Sequence, residues 1–361
     1  MNVAALAVTN VARTYASALT QEQEGSTTEI AAKPQRTLVV DYGFTKDAEG
    51  KPTTTRATVL NVATSGSTSI KMSMEGSKGE LLQAAGHLTL DVYGFFVVEG
   101  DLAFEKSSST VTLNDSEVDG EGNITKPASE VEVNLLTVGG SNLNAFAGIN
   151  GGFKADGRVV DNAVGLALTN TEFGLVMAGE KATGLEPAGT TMRKWTSLQA
   201  EVGGASFVGV SGLEVSVDTL GVEINRAATD GTLIDYKAQN VAINTGTEAN
   251  PSSMSLTMDG SEGALLRATG NLNVDIFGFV QVSGGFGIEK KSGAVTLANI
   301  TSTPVNESLT PVNVDMLLLG GSGLDAFVGA GDVGLAFSEV YIGLALMTES
   351  SPAAGTTARN W

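Results

Sequence analysis

The chain of 361 residues contains no cysteine and only one histidine, His87. Without cysteine it can form no disulfide framework, no cysteine-ligated zinc site and no thiol nucleophile. A single histidine cannot supply the ligands of a histidine zinc site, and a Ser-His-Asp triad would have to be built on it. Neither a G-x-S-x-G elbow nor a Walker phosphate loop is present. These absences predict a protein that is not an enzyme.

Basic residues and long apolar runs are also scarce. The 21 lysines and arginines face 40 aspartates and glutamates, which gives a formal net charge of -19. Such a charge repels nucleic acids and anionic lipids, because both are bound by clusters of Lys and Arg. No apolar run approaches the roughly 20 residues of a membrane helix. We therefore expect neither a nucleic-acid partner nor membrane insertion.

Glycine is abundant, with 45 residues, whereas aromatic residues make up only 6% of the chain. Apolar side chains occupy alternate positions across residues 88–104 and again across residues 272–288, a period of two that is typical of β-strands. We predict an all-β fold in which each stretch is one strand that bends at its glycines, including Gly94 and Gly278. The alternating side chains are predicted to face the core, among them Leu88, Val92, Phe96, Phe104 and Phe286.

The sequence repeats itself. Residues 74–106 return as residues 258–290 without a gap, and 16 of the 33 aligned positions are identical. Shorter landmarks recur in the same order at a drifting offset, among them Gly139-Gly140-Ser141, which returns at residues 320–322. The drift places the insertions in loops. Like segments in series predict a tandem array, with unit 1 in residues 1–195 and unit 2 in residues 196–361. Because both units stop at the same landmark, we expect the chain to be a segment of a longer array.

Each unit ends in the pattern Thr-Thr-x-Arg-x-Trp. Arg193 and Trp195 close unit 1, and Arg359 and Trp361 close unit 2. The chain continues after Trp195 without a flexible linker, which predicts that neighbouring units of the same protein pack end to end with the tryptophans as structural anchors. We therefore predict an elongated tandem β-repeat array, built either as a β-solenoid-like coil or from stacked β-sandwich or barrel units.

One glycine-rich segment carries specific chemistry. Residues 320–328, Gly-Gly-Ser-Gly-Leu-Asp-Ala-Phe-Val, fit the nonapeptide G-G-x-G-x-D-x-U-x and resemble the calcium-binding repeats of RTX proteins. The resemblance implies that backbone carbonyls and Asp325 bind Ca²⁺, which prefers oxygen ligands. The motif stands alone, and its counterpart in unit 1 has Asn144 in place of the aspartate. The alternative is a plain glycine-rich turn that holds no cofactor.

The chain as a whole resembles the repeat regions of giant secreted bacterial surface proteins, which are adhesin-like, acidic and free of cysteine. Residues 275–280, Asp-Ile-Phe-Gly-Phe-Val, and residues 209–213, Gly-Val-Ser-Gly-Leu, carry the resemblance. It implies an extracellular or cell-surface location and a non-catalytic role as a stalk or fibre scaffold, with self-assembly between units. Two alternatives remain, a calcium- or glycan-binding adhesin module and an outer-membrane β-barrel, which long alternating strands would also suit.

Overall fold

The structure is a computed structural model, and it describes residues 6–10, 13–15, 36–64, 66–121, 123–182, 189–297, 311–350, 352 and 356–361. Within these residues the protein is all-β, as predicted, and its only helical elements are the 3₁₀ turns Gly76–Lys78 and Gly260–Glu262. The strands are β1 Leu6–Asn10, β2 Arg13–Tyr15, β3 Arg36–Leu38, β4 Phe44–Lys46, β5 Pro52–Arg56, β6 Asn61–Ala63, β7 Ser69–Lys71, β8 Leu81–Val92, β9 Phe96–Thr112, β10 Glu117–Val118, β11 Ile124–Lys126, β12 Glu130–Ile149, β13 Val164–Glu180, β14 Lys194–Val208, β15 Leu213–Arg226, β16 Val241–Asn244, β17 Ser253–Leu256, β18 Leu265–Ile276, β19 Val280–Val295, β20 Val312–Ala330 and β21 Val333–Glu349.

Eleven strands form one antiparallel sheet in the order β1-β8-β9-β12-β13-β14-β15-β18-β19-β20-β21. Each strand pairs with the next sheet strand along the chain, so the sheet is a meander. From β8 onwards its strands are 12 to 20 residues long, far beyond the usual length of about 5–6 residues. The ladder between β13 and β14 lies where unit 1 is predicted to give way to unit 2, so the sheet is continuous across that boundary.

The stretch predicted as one bent strand, residues 88–104, is instead a tight hairpin. β8 ends at Val92, β9 begins at Phe96, and these two residues pair directly. Tyr93 (φ 50°) and Gly94 (φ 68°) adopt the left-handed conformation in the turn between them. The alternation of apolar and polar residues continues through the turn without a break. Val92 and Phe96 pair directly, so they point to the same face of the sheet. They are also an even number of positions apart, so both belong to the same alternating set.

Unit 2 has the same turn. Phe277 (φ 53°) and Gly278 (φ 70°) are left-handed. The Asp275 carboxylate accepts the Gly278 N–H at 2.7 Å, as Asp91 accepts the Gly94 N–H at 2.8 Å. Gly94 and Gly278 therefore hold turn positions, where a positive φ favours glycine, and the predicted bend within a strand is wrong.

Bulges interrupt the long strands. Apolar residues alternate at Leu213, Val215 and Val217 and then at Leu220, Val222 and Ile224, and this change of phase after Asp218 predicts a bulge. The prediction is confirmed, since the register between β15 and β18 shifts between Asp218 and Gly221 and Thr219 has a φ of 53°. Left-handed residues also occur on β12, β13 and β21, namely Asn142, Asn170 and Glu339. Bulges bend a strand and increase its twist, so these strands do not run straight for their full length.

The prediction of which face of the β8–β9 hairpin is buried is wrong. Val92 and Phe96 are 43% and 44% exposed. The other three side chains predicted to face the core are only half-buried, namely Leu88, Phe104 and Phe286. The buried side chains of β9 near the turn have the opposite parity, namely Val97, Asp101 and Ala103. The sequence misleads because the loops pack on the face that carries small and polar residues, which leaves the larger apolar side chains on the more open face.

Buried apolar residues form two clusters. The larger lies between residues 227–264 and the strands β9, β12, β13 and β14. The members of this cluster are Val111, Leu113, Val133, Leu135, Val176, Ala178, Trp195, Ala228, Ile234, Tyr236, Val241, Ile243, Leu256 and Met258. The smaller cluster lies at the opposite end of β9, β12 and β13 and consists of Val97, Phe146, Ala163 and Ala167.

The two tryptophans occupy matched backbone positions and differ in burial. Trp195 pairs with Ala178, is 1% exposed, and donates its indole N–H to the Thr232 carbonyl at 3.0 Å. Trp361 exchanges two backbone hydrogen bonds of 3.0 Å with Met347, but its side chain is 44% exposed. Trp195 thus belongs to the core, whereas Trp361 lies at the sheet edge beside β21.

An arginine braces each of these positions. Arg193 donates two hydrogen bonds, of 2.9 and 2.7 Å, to Glu180, and its guanidinium carbon lies 5.3 Å from the centre of the Trp195 ring. Arg359 donates two bonds of 3.0 Å to Glu349 in the same way. These bonds favour the ionised carboxylates, so the pKa values of Glu180 and Glu349 lie below their ordinary value.

We expect Trp195→Ala to lower the free energy of unfolding by about 3–5 kcal/mol, because it leaves a cavity in an enclosed site and removes a buried hydrogen bond. Trp361→Ala is the matched control, with the same backbone pairing but an exposed ring, and should cost less than about 1 kcal/mol. Urea unfolding followed by circular dichroism measures both. Equal losses would contradict the placement of Trp195 in the core.

Candidate functional site

A loop of unit 2 covers the sheet of unit 1. Residues 227–264, which connect β15 to β18, fold back over the sheet, and we call this segment cap 2. Its hairpin β16–β17 lies against β9, β12 and β13, all of which belong to unit 1. The backbones of the two units also meet in a bridge between Leu113 and Ile234. Cap 2 is therefore an interface between the two units.

Small residues let cap 2 approach the sheet closely. Ala103, Gly139 and Gly174 lie side by side on β9, β12 and β13 and form what we call the glycine row of unit 1. A Cβ atom at Gly139 would collide with the carbonyl oxygen of Asn244, and one at Gly174 would lie 2.6 Å from Ile243 Cδ1. The two glycines are thus required by the close approach of cap 2.

Polar side chains fix the position of the β16–β17 hairpin on the sheet. Ser141 Oγ donates to the Thr245 carbonyl at 2.9 Å. The Glu172 carboxylate accepts hydrogen bonds from the hydroxyls of Thr245, at 2.7 Å, and Ser252, at 2.9 Å. Because Ser141 and Glu172 lie on β12 and β13, these bonds all cross from unit 1 to unit 2.

Further polar contacts tie cap 2 to the end of β9. The Gln239 side-chain oxygen accepts the backbone N–H of Thr112 at 2.8 Å. Asn114 donates to the Gly260 carbonyl at 3.0 Å and accepts the Leu233 N–H at 2.8 Å. The amides of Gln239 and Asn114 thus satisfy backbone groups across the interface, which fixes the register as well as the contact.

Acidic residues hold cap 2 in shape. Asp235 Oδ1 accepts the backbone N–H groups of Lys237, at 3.1 Å, and Gly260, at 3.2 Å. Asp259 accepts a hydrogen bond from Lys237 Nζ at 2.7 Å, and this bond is the largest of the causes that lower the pKa of Asp259 to about 2. Burial raises the pKa of Tyr236 in the same segment. The hydrogen bonds of Asp235 and Asp259 therefore stabilise the folded conformation of cap 2.

Unit 2 carries a corresponding glycine row that cap 2 does not cover. Gly287, Gly320 and Gly343 lie side by side on β19, β20 and β21. A Cβ atom at Gly320 or Gly343 would meet no atom of the described residues within 4 Å. Four apolar side chains share this face of β20 and β21, namely Met316, Leu318, Ala345 and Met347. We call these seven residues the acceptor face; their counterparts on β12 and β13 are buried beneath cap 2.

Unit 1 has a cap of its own. Residues 36–80, of which residue 65 is not described, form cap 1. The Asp41 carboxylate accepts the N–H groups of Gly43, at 2.9 Å, and Gly76, at 2.8 Å, as Asp235 does in cap 2. These two hydrogen bonds lower the pKa of Asp41, and the bond from Gly76 has the larger effect.

The hairpin β6–β7 of cap 1 corresponds to β16–β17 of cap 2. Val62 pairs with Ile70, as Ile243 pairs with Met254. Ile243 is 1% exposed because it packs on the sheet, whereas Val62 is 46% exposed. Cap 1 therefore presents an apolar surface of the kind that cap 2 buries.

The proposed calcium ligand Asp325 lies at a bulge. Its Oδ1 accepts the backbone N–H of Glu339 at 3.2 Å, and Asn144 Oδ1 accepts the N–H of Asn170 at 3.1 Å at the corresponding place. Glu339 and Asn170 both have a positive φ, of 54° and 50°. A carboxylate and an amide oxygen can both accept this bond, which gives a physical reason for the exchange of Asp and Asn between the units.

His87 contacts a residue that lies at the interface with cap 2. Its Nδ1 lies 3.0 Å from Asp101 Oδ1 on the neighbouring strand. Asp101 is buried and lies 3.4 Å from the side-chain nitrogen of Asn250 in cap 2. In unit 2 the residue in the place of His87 is Asn271.

Sequence reasoning did not identify the glycine rows or the caps as an interface. The landmark Gly139-Gly140-Ser141 and its return at residues 320–322 contained the signal. Each row, however, joins residues of three separate strands, and only the strand register brings them together.

The chain matches no family model, and neither curated proteins nor solved structures gave a significant match. None of the helical elements in the described part of the chain is long and apolar enough to cross a membrane. Among the described residues there is also no group of three or more His, Cys, Asp or Glu side chains placed to hold a metal ion.

Gly139→Ala should destabilise the protein by about 1–3 kcal/mol, because the added methyl group must push the backbone of cap 2 away from the sheet. Gly320→Ala is the matched control at the corresponding position and should stay within about 1 kcal/mol of the wild type. Thermal and urea unfolding of dilute protein measure both changes. A similar loss for both variants would show that the contact with cap 2 does not require Gly139.

Asp325→Asn should change the free energy of unfolding by less than about 0.5 kcal/mol, since the amide oxygen accepts the same hydrogen bond. Asp325→Ala should lose about 1 kcal/mol, because the N–H of Glu339 is left without that partner. Asn144→Ala is the control in unit 1 and should cost a similar amount. If Asp325→Asn were as destabilising as Asp325→Ala, the carboxylate charge and not the hydrogen bond would matter.

Proposed function

We propose that this chain is a non-catalytic structural repeat segment of a large extracellular bacterial surface or fibre protein, organised as an elongated tandem array. The observation that carries the proposal is the joint between the units. The β13–β14 ladder runs through the boundary, and cap 2 of unit 2 packs on strands of unit 1. A joint with both features favours transmission of force over independent movement of the units.

The joint is made of nearest-neighbour contacts. Unit 2 contributes strands to the sheet and a cap that lies on unit 1. In such an arrangement stability is approximately a sum of unit and interface contributions, so the number of units can grow without a change in the contacts. That property suits a structural scaffold that extends over a long distance.

The chemistry of the interface also favours a scaffold. Several polar side chains of the joint bind one another or backbone groups, as the buried Ser141 and the half-buried Glu172 and Gln239 do. Buried polar groups that are satisfied in this way fix one arrangement of the chain. The acidic surface and the lack of cysteine agree with the resemblance to secreted adhesin-like repeats, and the extracellular location rests on that resemblance.

Small-angle X-ray scattering tests the proposal on chains in which one or two further copies of residues 196–361 follow Trp361. We expect the maximum dimension to grow by a constant step for each added copy, with the scattering of a stiff particle. Trp195→Ala should lower the cooperativity of unfolding between units, because it weakens the joint. Scattering typical of beads on a flexible string would contradict the proposal.

The alternative is a calcium- or glycan-binding adhesin module. It is favoured by an open groove on unit 2 that Glu214, Asp275 and Asp325 line together with Phe327 and Phe337. Calcium that binds only the folded protein would raise its melting temperature by mass action. We expect no such rise in the wild type. A rise with added Ca²⁺ that disappears in Asp325→Asn would favour the alternative.

A further inference from the structure

We propose that the acceptor face of one copy of this chain binds cap 1 of a second copy, in the way in which the sheet of unit 1 binds cap 2 within a single copy. The inference rests on the proposed function, because it treats the two units as copies of one structural repeat. It goes further by assigning the two surfaces that meet and by fixing their direction as head to tail.

The acceptor face has the shape of an interface. A Cβ atom at Gly320 or Gly343 would have no atom of the described part of the chain within 4 Å, although valine or threonine would suit an open strand position better. In unit 1 the same space is filled by Asn244 and Ile243 of cap 2. The open space above Gly320 and Gly343 therefore has the shape that a cap hairpin would fill.

One polar contact of the interface has both of its partners in the proposed contact as well. Ser141, which donates to the Thr245 carbonyl, corresponds to Ser322 on β20. Thr245 corresponds to Thr64, whose backbone N–H donates to the Thr68 carbonyl at 2.8 Å, as that of Thr245 donates to Ser252 at 3.0 Å. The Thr64 carbonyl is thus placed to accept a hydrogen bond from Ser322 of another copy.

Cap 1 supplies the opposing surface. Leu60 and Val62 are 44% and 46% exposed, while Val241 and Ile243 at the corresponding positions of cap 2 are buried. Burying these side chains on Met316 and Leu318 removes apolar surface from water on both partners, which is the main driving force of such an association.

Two separate molecules can form this contact. Within one copy, the hairpin β16–β17 packs on β9, β12 and β13, the strands that correspond to β19, β20 and β21 of unit 2. The interface therefore consists of a cap hairpin on strands of another unit, and it does not depend on the peptide connection between units.

The two surfaces are different and lie on the same chain, so the association is heterologous. One copy can offer its acceptor face to a second copy and its cap 1 to a third. Heterologous contacts that do not close a ring build open chains, which agrees with a fibre.

The test uses two variants of the full chain, each of which disables one surface. Gly320→Val fills the space of the acceptor face and suits a strand. Val62→Asp places a charge on the exposed hairpin of cap 1. Val118→Asp, on the exposed strand β10 outside both surfaces, is the control. Circular dichroism and melting confirm that each variant is folded, and Gly343→Val replaces Gly320→Val if that protein is not.

Sedimentation velocity at protein concentrations up to about 200 µM, where even weak contacts are populated, gives the result. We expect the wild type and Val118→Asp to form oligomers that grow with concentration. Gly320→Val and Val62→Asp should each remain monomeric alone, with association weakened at least about tenfold. Mixed together they should form a one-to-one dimer and nothing larger, because only one intact pair of surfaces remains.

A wild type that stays monomeric throughout would overturn the inference, and so would oligomers that persist in either variant alone. Neither outcome bears on the joint inside one copy. That joint is measured separately, by the scattering of the lengthened chains and by the cooperativity of unfolding in dilute monomer. The proposed function and this inference therefore fail by different measurements.

Discussion

The close approach of a loop backbone to a sheet is the contact on which the rest of this structure depends. Cap 2 lies against β12 and β13 because Gly139 and Gly174 present no side chain there. The approach brings Ile243 and its neighbours into the apolar cluster that surrounds Trp195. It also brings Thr245 within reach of Ser141. Apolar burial and hydrogen bonding between the units both follow from the missing Cβ atoms.

The meander explains how this contact can be repeated along the chain. Every strand of the main sheet pairs with its neighbour in sequence, so the sheet extends without a crossover. The loop between β15 and β18 then falls on β9, β12 and β13, which precede it in the chain. Where the connection is short, as between β8 and β9 or between β18 and β19, closing the hairpin costs little chain entropy.

The sequence predicted part of this fold well, for reasons that can be stated. The period of two identified strands, and the phase change after Asp218 located a bulge, because both depend on the local pattern of side chains. The sequence did not reveal the hairpin turn at Gly94, because paired residues share a face of the sheet and the period-two pattern of apolar residues therefore continues through the turn. The buried face of β9 was assigned to the larger apolar side chains, whereas cap 2 covers Asp101 and Ala103.

The candidate site was harder to predict from the sequence than the strands were. Gly139 and Gly320 stood out as landmarks of the repeat, but their meaning depends on which residues of other strands lie beside them. Asp325 matched a calcium motif over nine residues, while the structure shows its carboxylate accepting the N–H of Glu339. The motif depends only on the order of residues along the chain, whereas the hydrogen bond of Asp325 depends on a bulge that brings the neighbouring strand to it.

The recurrence of the glycine row in unit 2 has a consequence for how such proteins change over generations. When each copy of a repeat contains both halves of its joint, unequal recombination between copies yields longer or shorter genes whose products need no new complementary surface. The length of the protein then becomes a trait that can vary in whole steps. In the proposed array, selection on the joint would act within each copy, since a residue such as Gly320 would have to remain compatible with the unit that lies on it.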